Sequence, residues 1–239
     1  MVGEDPPAME RFISDFNDYT KSVALEAEDR VAGHQRTVKD YLILRRGTCG
    51  AKPSFSFFAL GLHIPNAVFE NPLMISLIEN ATDLNAITNV SHLTIFLVKV
   101  STASHILYYS LLKDMHSYWL ERSRGLEKHN IITAIMEEYH LDLQQALYWL
   151  SGYTSKIISN IMADIHALPS WGEKIDRAVK VYIDRVGRGI RGCDAWSYET
   201  KRYYGDDGLK VLESRKIALL PPDSGYITRK ELELEIMVA

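Results

Sequence analysis

The stretch LQQALYWLSGYTSKIISNIMADIHALP, residues 143–169, decides the fold class. Its apolar residues recur at spacings of three and four, with polar residues between them. They are Leu143, Ala146, Leu147, Leu150, Ile157, Ile158, Ile161, Met162 and Ile165. This spacing places the apolar side chains on one face of a helix, and Pro169 is expected to stop it. The stretch therefore predicts a long amphipathic helix.

Upstream of that helix, residues 9–31 show the same periodicity and predict an amphipathic helix that ends near Gly33. A second helix is expected over residues 34–46. Gly47 and Gly50 bracket a predicted break after it.

Downstream, residues 175–186 predict another helix of the same kind. Strand-like alternation occurs only in ELELE, residues 231–235, which is too short to support a sheet. The fold class is therefore predicted to be all-α. We expect one helical domain over residues 1–225 and a loosely held tail over residues 226–239, with the loop 219–225 between them.

The bulk composition excludes some kinds of partner. The chain has 239 residues, of which 46% are hydrophobic and 24% charged, and its net charge is −4. These values are typical of a soluble globular protein and leave no basic surface for nucleic acid. The two cysteines, Cys49 and Cys193, are too few for a disulfide framework and are expected to be reduced thiols.

The sequence also argues against secretion and membrane insertion. Its first residues, MVGEDPPAMERF, are acidic where a secretory signal would be basic and then apolar. The most apolar stretch, residues 93–100, is shorter than the ~20 residues of a membrane span, and Lys99 interrupts it. We expect no membrane span and a cytoplasmic location.

The segment YLILRRGTCGAKPSF, residues 41–55, is the strongest local pattern. A basic helix end followed by glycine is, taken alone, typical of an ordinary helix C-cap. The order of an arginine pair, a glycine break and then Ala-Lys-Pro-Ser-Phe, however, closely resembles class I terpene cyclases of the fungal sesquiterpene synthase type. The resemblance implies a class I terpenoid synthase helical bundle.

The resemblance also implies roles for two residues of this segment. Arg46 would sense the diphosphate of the substrate, and the Gly50 carbonyl would face the developing cation. The implied substrate is an isoprenyl diphosphate, farnesyl diphosphate by likeness to the sesquiterpene enzymes. Phe57 and Phe58, which follow the segment, are expected to line the pocket, since aromatic faces stabilise cations without lone pairs that would quench them.

A second resemblance to the family lies in GCDAWSYETKRYYG, residues 192–205. Aromatic residues at this density are usually packing residues. The likeness to the end of the last helix in the family implies that Arg202 and Tyr203 bind diphosphate. Arginine offers a planar fork of donors to phosphate oxygens, and tyrosine adds an uncharged donor. Trp196 is expected to line the pocket.

The metal motif of the family is an asparagine, a serine and a glutamate at four-residue steps. On a helix these steps drift by only ~40°, so the three oxygen ligands share one face. Such ligands suit Mg²⁺. Ser117 and Glu121 match the motif and Asp114 matches the family residue that follows the asparagine, but Lys113 occupies the asparagine position. An ammonium group would repel the ion.

Joining Asn89 directly to Asp114 would restore the motif, with Asn89, Ser117 and Glu121 as ligands. The 24 residues from Val90 to Lys113 can be encoded with a splice donor, a pyrimidine tract and an acceptor in phase. We interpret them as a retained intron. A genuine helical or loop insertion is the alternative.

The other acidic motif of the family, DDxxD or DExxD, does not occur in this sequence. The pair Asp206 and Asp207 is expected in a loop after the last helix, which is the wrong place for it. We therefore expect a bundle that is truncated at its N-terminus, with little or no activity of this exact chain. The alternative function is a non-catalytic helical pseudoenzyme or interaction protein.

Overall fold

The structure is a computed structural model that describes residues 5–87, 117, 118, 121, 122, 129–214, 216–218 and 235–237. Its helices up to residue 199 are α1 (Pro6–Ala32), α2 (Val38–Thr48), α3 (Ala51–Phe58), α4 (Asn66–Phe69), α5 (Pro72–Ile87), α6 (Ile131–Tyr139), α7 (Leu143–Ala167) and α8 (Glu173–Glu199). Short elements follow: α9 (Lys201–Tyr204), a 3-10 turn (Gly205–Asp207), α10 (Gly208–Ser214), β1 (Lys216–Ala218) and β2 (Glu235–Met237).

Helix α1 begins and ends at the residues that the sequence favours. Pro6 occupies its first turn, where a missing N–H costs nothing. Gly33 follows its last residue with φ 64°, and the Gly33 N–H donates to the carbonyl of Arg30. This left-handed glycine is the usual end of a helix, and it confirms the predicted boundary.

The predicted break between α2 and α3 lies at Gly50, which has a φ of 71°. The second helix, however, starts at Val38 rather than near residue 34, because the Thr37 hydroxyl accepts from the Asp40 N–H and caps it there. It also continues through Gly47, where α1 and α2 lie so close that a Cβ would collide with Ser22.

The core lies where α5, α6, α7 and α8 meet. Helix α5 packs along α7, and α6 packs on both α7 and α2. The side chains that fill this core are almost fully buried: Met74, Leu77, Leu84, Ile87, Ile131, Ile135, Leu150, Ile157, Tyr182 and Ile190. Helix α7 ends at Ala167, two residues before Pro169, as its periodicity predicts.

The end of the chain differs from the expectation. Helix α8 runs to Glu199, and Asp206 and Asp207 form a 3-10 turn that leads into α10, not a loop after the last helix. Strand β1 pairs antiparallel with β2, with Ile217 opposite Ile236. The described part of the chain therefore contains one antiparallel pair of short strands in addition to the helices. The predicted loop 219–225 lies outside the described residues, and the division into a domain and a tail stays a prediction.

Among the residues that the structure describes, none of the helices is both long and apolar enough to cross a bilayer.

The contact between α8 and α3 can be tested at two glycines of α8. A Cβ at Gly189 would lie 2.5 Å from Cε2 and 2.8 Å from Cζ of Phe58, whereas one at Gly192 would meet no heavy atom within 4 Å. We expect Gly189→Ala to lower the free energy of unfolding by about 1–3 kcal/mol, because it overpacks this contact. Gly192→Ala should raise it by about 0.5–1 kcal/mol through helix propensity alone. Urea denaturation measures both, and equal stabilisation by the two variants would contradict the packing of Phe58 on α8.

Candidate functional site

Arg46, near the end of α2, is held by two carboxylates of α5. Its Nε donates to Oδ1 of Asp83 over 2.6 Å, and its Nη2 donates to Oδ2 of the same residue over 2.7 Å. Its Nη1 donates to Oε2 of Glu79 over 2.8 Å. Because Glu79 and Asp83 are four residues apart on α5, both lie on one helical face and reach the same guanidinium.

Arg46, Asp83 and Glu79 form a triad in which the guanidinium stabilises both carboxylates, whereas the two carboxylates repel each other. The hydrogen bond to Asp83 is the largest cause that raises the pKa of Arg46. Burial raises the pKa of Asp83, and the hydrogen bond from Arg46 opposes that shift. Burial, and then the charge of Asp83, raise the pKa of Tyr153 on α7. Since a guanidinium does not deprotonate in proteins, Arg46 is a permanent cation at this site.

An aromatic cavity of about 420 Å³ opens beside Gly50, between α1 and α3. Its lining residues are Phe12, Phe16, Tyr19, Gly50, Pro53, Ser54, Phe57 and Phe58. Phe57 and Phe58 thus lie beside Gly50 in this cavity, and their role as pocket residues for a substrate stays a prediction. The Gly50 carbonyl accepts a hydrogen bond of 2.9 Å from the Ser54 hydroxyl, so a cation would share that oxygen with Ser54.

Two of the predicted metal ligands meet at one asparagine. Ser117 and Glu121 are helical and four residues apart. The Nδ2 of Asn130 donates to Oε2 of Glu121 over 2.9 Å and lies 3.5 Å from Oγ of Ser117. Asn130 itself is 1% exposed, and its Oδ1 caps α6 by accepting from the Ile132 N–H. A hydroxyl and a carboxylate are hard oxygen donors, so these two side chains fit Mg²⁺ chemically.

The rest of the predicted metal motif lies outside the described residues. This holds for Asn89, Lys113 and Asp114 and for the whole predicted insertion, residues 90–113. Within the part of the chain that the structure describes, no group of three or more His, Cys, Asp or Glu side chains could hold a metal ion.

Arg202 and Tyr203 lie in the short helix α9, which begins after a break at Thr200. The Arg202 guanidinium carbon lies 5.5 Å from the centroid of the Tyr203 ring. Trp196, near the end of α8, packs edge-on against the same ring with centroids 6.2 Å apart and is 47% exposed. Trp196 is not among the described residues that line the cavity beside Gly50. Its pocket role, and the diphosphate contacts of Arg202 and Tyr203, stay predictions.

Sequence reasoning missed Glu79, Asp83 and Asn130. Asp83 carries a signal, because a carboxylate between the apolar residues of the stretch LIENATDLNAI needs a partner if that stretch is buried. Asn130 carries one too, since an asparagine directly before the apolar run Ile-Ile-Thr-Ala-Ile is a typical helix N-cap. No local pattern pairs Glu79 with Arg46, because 33 residues separate them in sequence.

Comparison with known proteins places these features in a family. Residues 2–159 match the family model described as terpene synthase family 2, C-terminal metal binding. Sesquiterpene synthase Agr8 of Cyclocybe aegerita is 40% identical over 227 residues, which cover 95% of this chain and 58% of that protein. Delta(6)-protoilludene synthase of Armillaria gallica is 33% identical, over 90% of this chain and 55% of that protein. The chain therefore spans less than two thirds of the length of these relatives.

Solved structures agree on the fold. The linalool/nerolidol synthase of Streptomyces clavuligerus superposes with a TM-score of 0.64 at 16% identity, over 82% of this chain and 61% of that one. The SVS_A2 protein from ancestral sequence reconstruction gives 0.60 at 20% identity, over 83% and 51%. Likeness at such low identity concerns the helical architecture, whereas the family model rests on sequence. Together they establish that the chain belongs to terpene synthase family 2 and has the class I terpenoid synthase helical fold.

Proposed function

We propose that the chain is the C-terminal, metal-binding part of a sesquiterpene cyclase that ionises and cyclises farnesyl diphosphate with Mg²⁺. The observation that carries this proposal is the convergence of Ser117 and Glu121 on Asn130. Three hydrogen-bonding side chains from two separate segments meet there, and two of them are the motif residues that the family resemblance implies as ligands. The name of the relative sesquiterpene synthase Agr8 supplies the sesquiterpene class.

Each group has a defined task in this proposal. Ser117 and Glu121, together with Asn89, would hold Mg²⁺, which neutralises diphosphate charge when bound. Arg46 and Arg202 would stabilise the negative charge that develops on the leaving diphosphate as the carbon–oxygen bond breaks. The rings of Phe57 and Phe58 would face the allyl cation and exclude water that would trap it.

The segment 90–113 decides whether this exact chain works. We propose that it is a retained intron and that it impairs metal binding, since it separates Asn89 from Ser117 and Glu121 and puts Lys113 in the ligand position. Sequencing the transcript across this region tests the first point. A message that always keeps these codons would leave a cyclase relative with an altered metal site.

Removing residues 90–113 should restore metal binding, because it returns three oxygen ligands to one helical face. We expect Mn²⁺, as a spectroscopic substitute for Mg²⁺, to bind the shortened chain at least about tenfold more tightly than the original, which corresponds to ~1.4 kcal/mol. Electron paramagnetic resonance measures free Mn²⁺ directly. The shortened chain with Glu121→Gln is the control and should lose the gain.

The same pair of chains tests the activity. Incubation of each with farnesyl diphosphate and Mg²⁺, followed by gas chromatography, should give little or no product from the original chain. Robust product from the original chain would contradict the proposed impairment. Absence of metal binding by both chains would instead favour the non-catalytic alternative.

Arg202 should contribute through its forked donors and not through charge alone. In the most active form of the enzyme, Arg202→Lys and Arg46→Lys should each lower kcat/KM for farnesyl diphosphate at least about tenfold, since a point charge cannot form two parallel hydrogen bonds to phosphate. Arg188→Lys is the matched control, because Arg188 is exposed and pairs with Asp184 one turn away. Near-normal kinetics of both test variants would show that the diphosphate contacts are assigned wrongly.

Asn130 should orient Glu121 as well as cap α6, and two substitutions separate these tasks. Asn130→Ala loses both and should lower the free energy of unfolding by about 1–3 kcal/mol. Asn130→Ser keeps a hydroxyl oxygen that can cap α6 but loses the amide donor to Glu121, so it should retain more stability than the alanine variant. If the two variants are equally stable in thermal denaturation, the cap contributes nothing.

A further inference from the structure

The triad of Arg46, Asp83 and Glu79 is asymmetric. Asp83 accepts two of the three hydrogen bonds from the guanidinium, and its side chain is 2% exposed. Glu79 accepts one, and its side chain is 41% exposed. A buried bidentate pair is costly to open, whereas a half-exposed single contact is worth little and opens readily. One carboxylate is thus fixed and the other is free to leave.

As it stands, the triad opposes an anion. It carries one positive and two negative charges, and only two of the five N–H donors of Arg46 lie outside the three hydrogen bonds to carboxylates. A diphosphate that approaches Arg46 therefore meets net negative charge. Diphosphate binding becomes favourable only if one of the two carboxylates releases the Arg46 N–H group that donates to it.

Lys52 is a second cation that can pair with Glu79. Lys52, in the first turn of α3, lines a cavity of about 240 Å³ together with Glu79. Within the described ranges, Lys52 forms no ion pair or side-chain hydrogen bond, and it is close enough to Asp83 to lower the pKa of that carboxyl. Movement of Glu79 across this cavity from Arg46 to Lys52 would leave neither Glu79 nor Asp83 unpaired.

We propose that Glu79 is an exchangeable partner of Arg46: substrate diphosphate takes its place on the guanidinium, while Asp83 remains as the fixed anchor. This inference rests on the proposed function, because it takes Arg46 as the residue that contacts diphosphate. It adds that the site is closed to anions by its own carboxylate until the substrate arrives. Glu79 then sets the affinity for diphosphate, and Asp83 sets the orientation of Arg46.

The decisive experiment is calorimetric titration of the full chain with sodium diphosphate, first without Mg²⁺ and then with it. Glu79→Gln should bind diphosphate about two- to fivefold more tightly than the unmodified chain in both series, because it removes the negative charge that competes with diphosphate for Arg46. The expected gain is modest because a half-exposed ion pair contributes little free energy. Glu173→Gln, which neutralises a remote exposed carboxylate paired with Arg177, is the matched control and should bind like the unmodified chain.

Asp83→Asn should have the opposite effect. It removes the anchor, so diphosphate should bind at least about threefold more weakly, with a lower melting temperature. If this variant does not fold, the Glu79→Gln arm still decides the proposal on its own.

The outcomes separate the two levels of inference. If Arg46→Gln binds diphosphate as tightly as the unmodified chain, the assignment of Arg46 under the proposed function fails. If Arg46→Gln weakens binding but Glu79→Gln does not strengthen it, the exchange is wrong although the diphosphate site stands. A gain that occurs only with Mg²⁺ would show that Glu79 acts on the metal, and absence of binding by Glu79→Gln would also overturn the proposal.

Discussion

The buried ion pair between Asp83 and Arg46 is the interaction on which the rest of the site depends. Asp83 is the charged residue that α5 carries into the core, and leaving such a charge unpaired would cost about 3–5 kcal/mol. Its only permanent cationic donor in the described contacts is Arg46, at the end of α2. Helix α2 must therefore lie against α5 in one register, and the break at Gly50 then fixes where α3 and its aromatic side chains begin.

Local chemistry explains how much of this fold could be predicted. The ends of α1 and α7 followed from Gly33 and Pro169, because a left-handed glycine and a proline act on the backbone without help from distant residues. The start of α2 was misplaced by several residues because the Thr37 cap competes with a helical pattern that continues on both sides of it. The two-stranded pairing of β1 and β2 was missed because its partners are far apart in sequence, and the ELELE pattern extends mostly outside the strand that forms.

The candidate site also contains some residues that the sequence predicts and others that it does not. Arg46, Gly50, Ser117 and Glu121 could be named from short motifs, because those motifs resemble the motifs of a known family. Their supports, Asp83, Glu79 and Asn130, come from other segments and act through tertiary contacts, which short-range spacing does not encode. Asn130 serves two purposes as such a support, because one amide group caps the start of α6 and donates to the carboxylate of Glu121.

Under the proposed function, the aromatic cavity beside Gly50 has a consequence for how related cyclases diversify. The cavity is lined by residues of α1 and α3. Arg46 and Asp83 lie on α2 and α5, and Glu121 and Asn130 lie in the segment before α6. A substitution at Phe12 or Phe16 can therefore change the contour of the cavity without disturbing a single charged contact. Under the proposed function, the contour of the cavity and the Arg46 triad therefore lie on separate helices, so the contour can change while the contacts of Arg46 with Asp83 and Glu79 are kept.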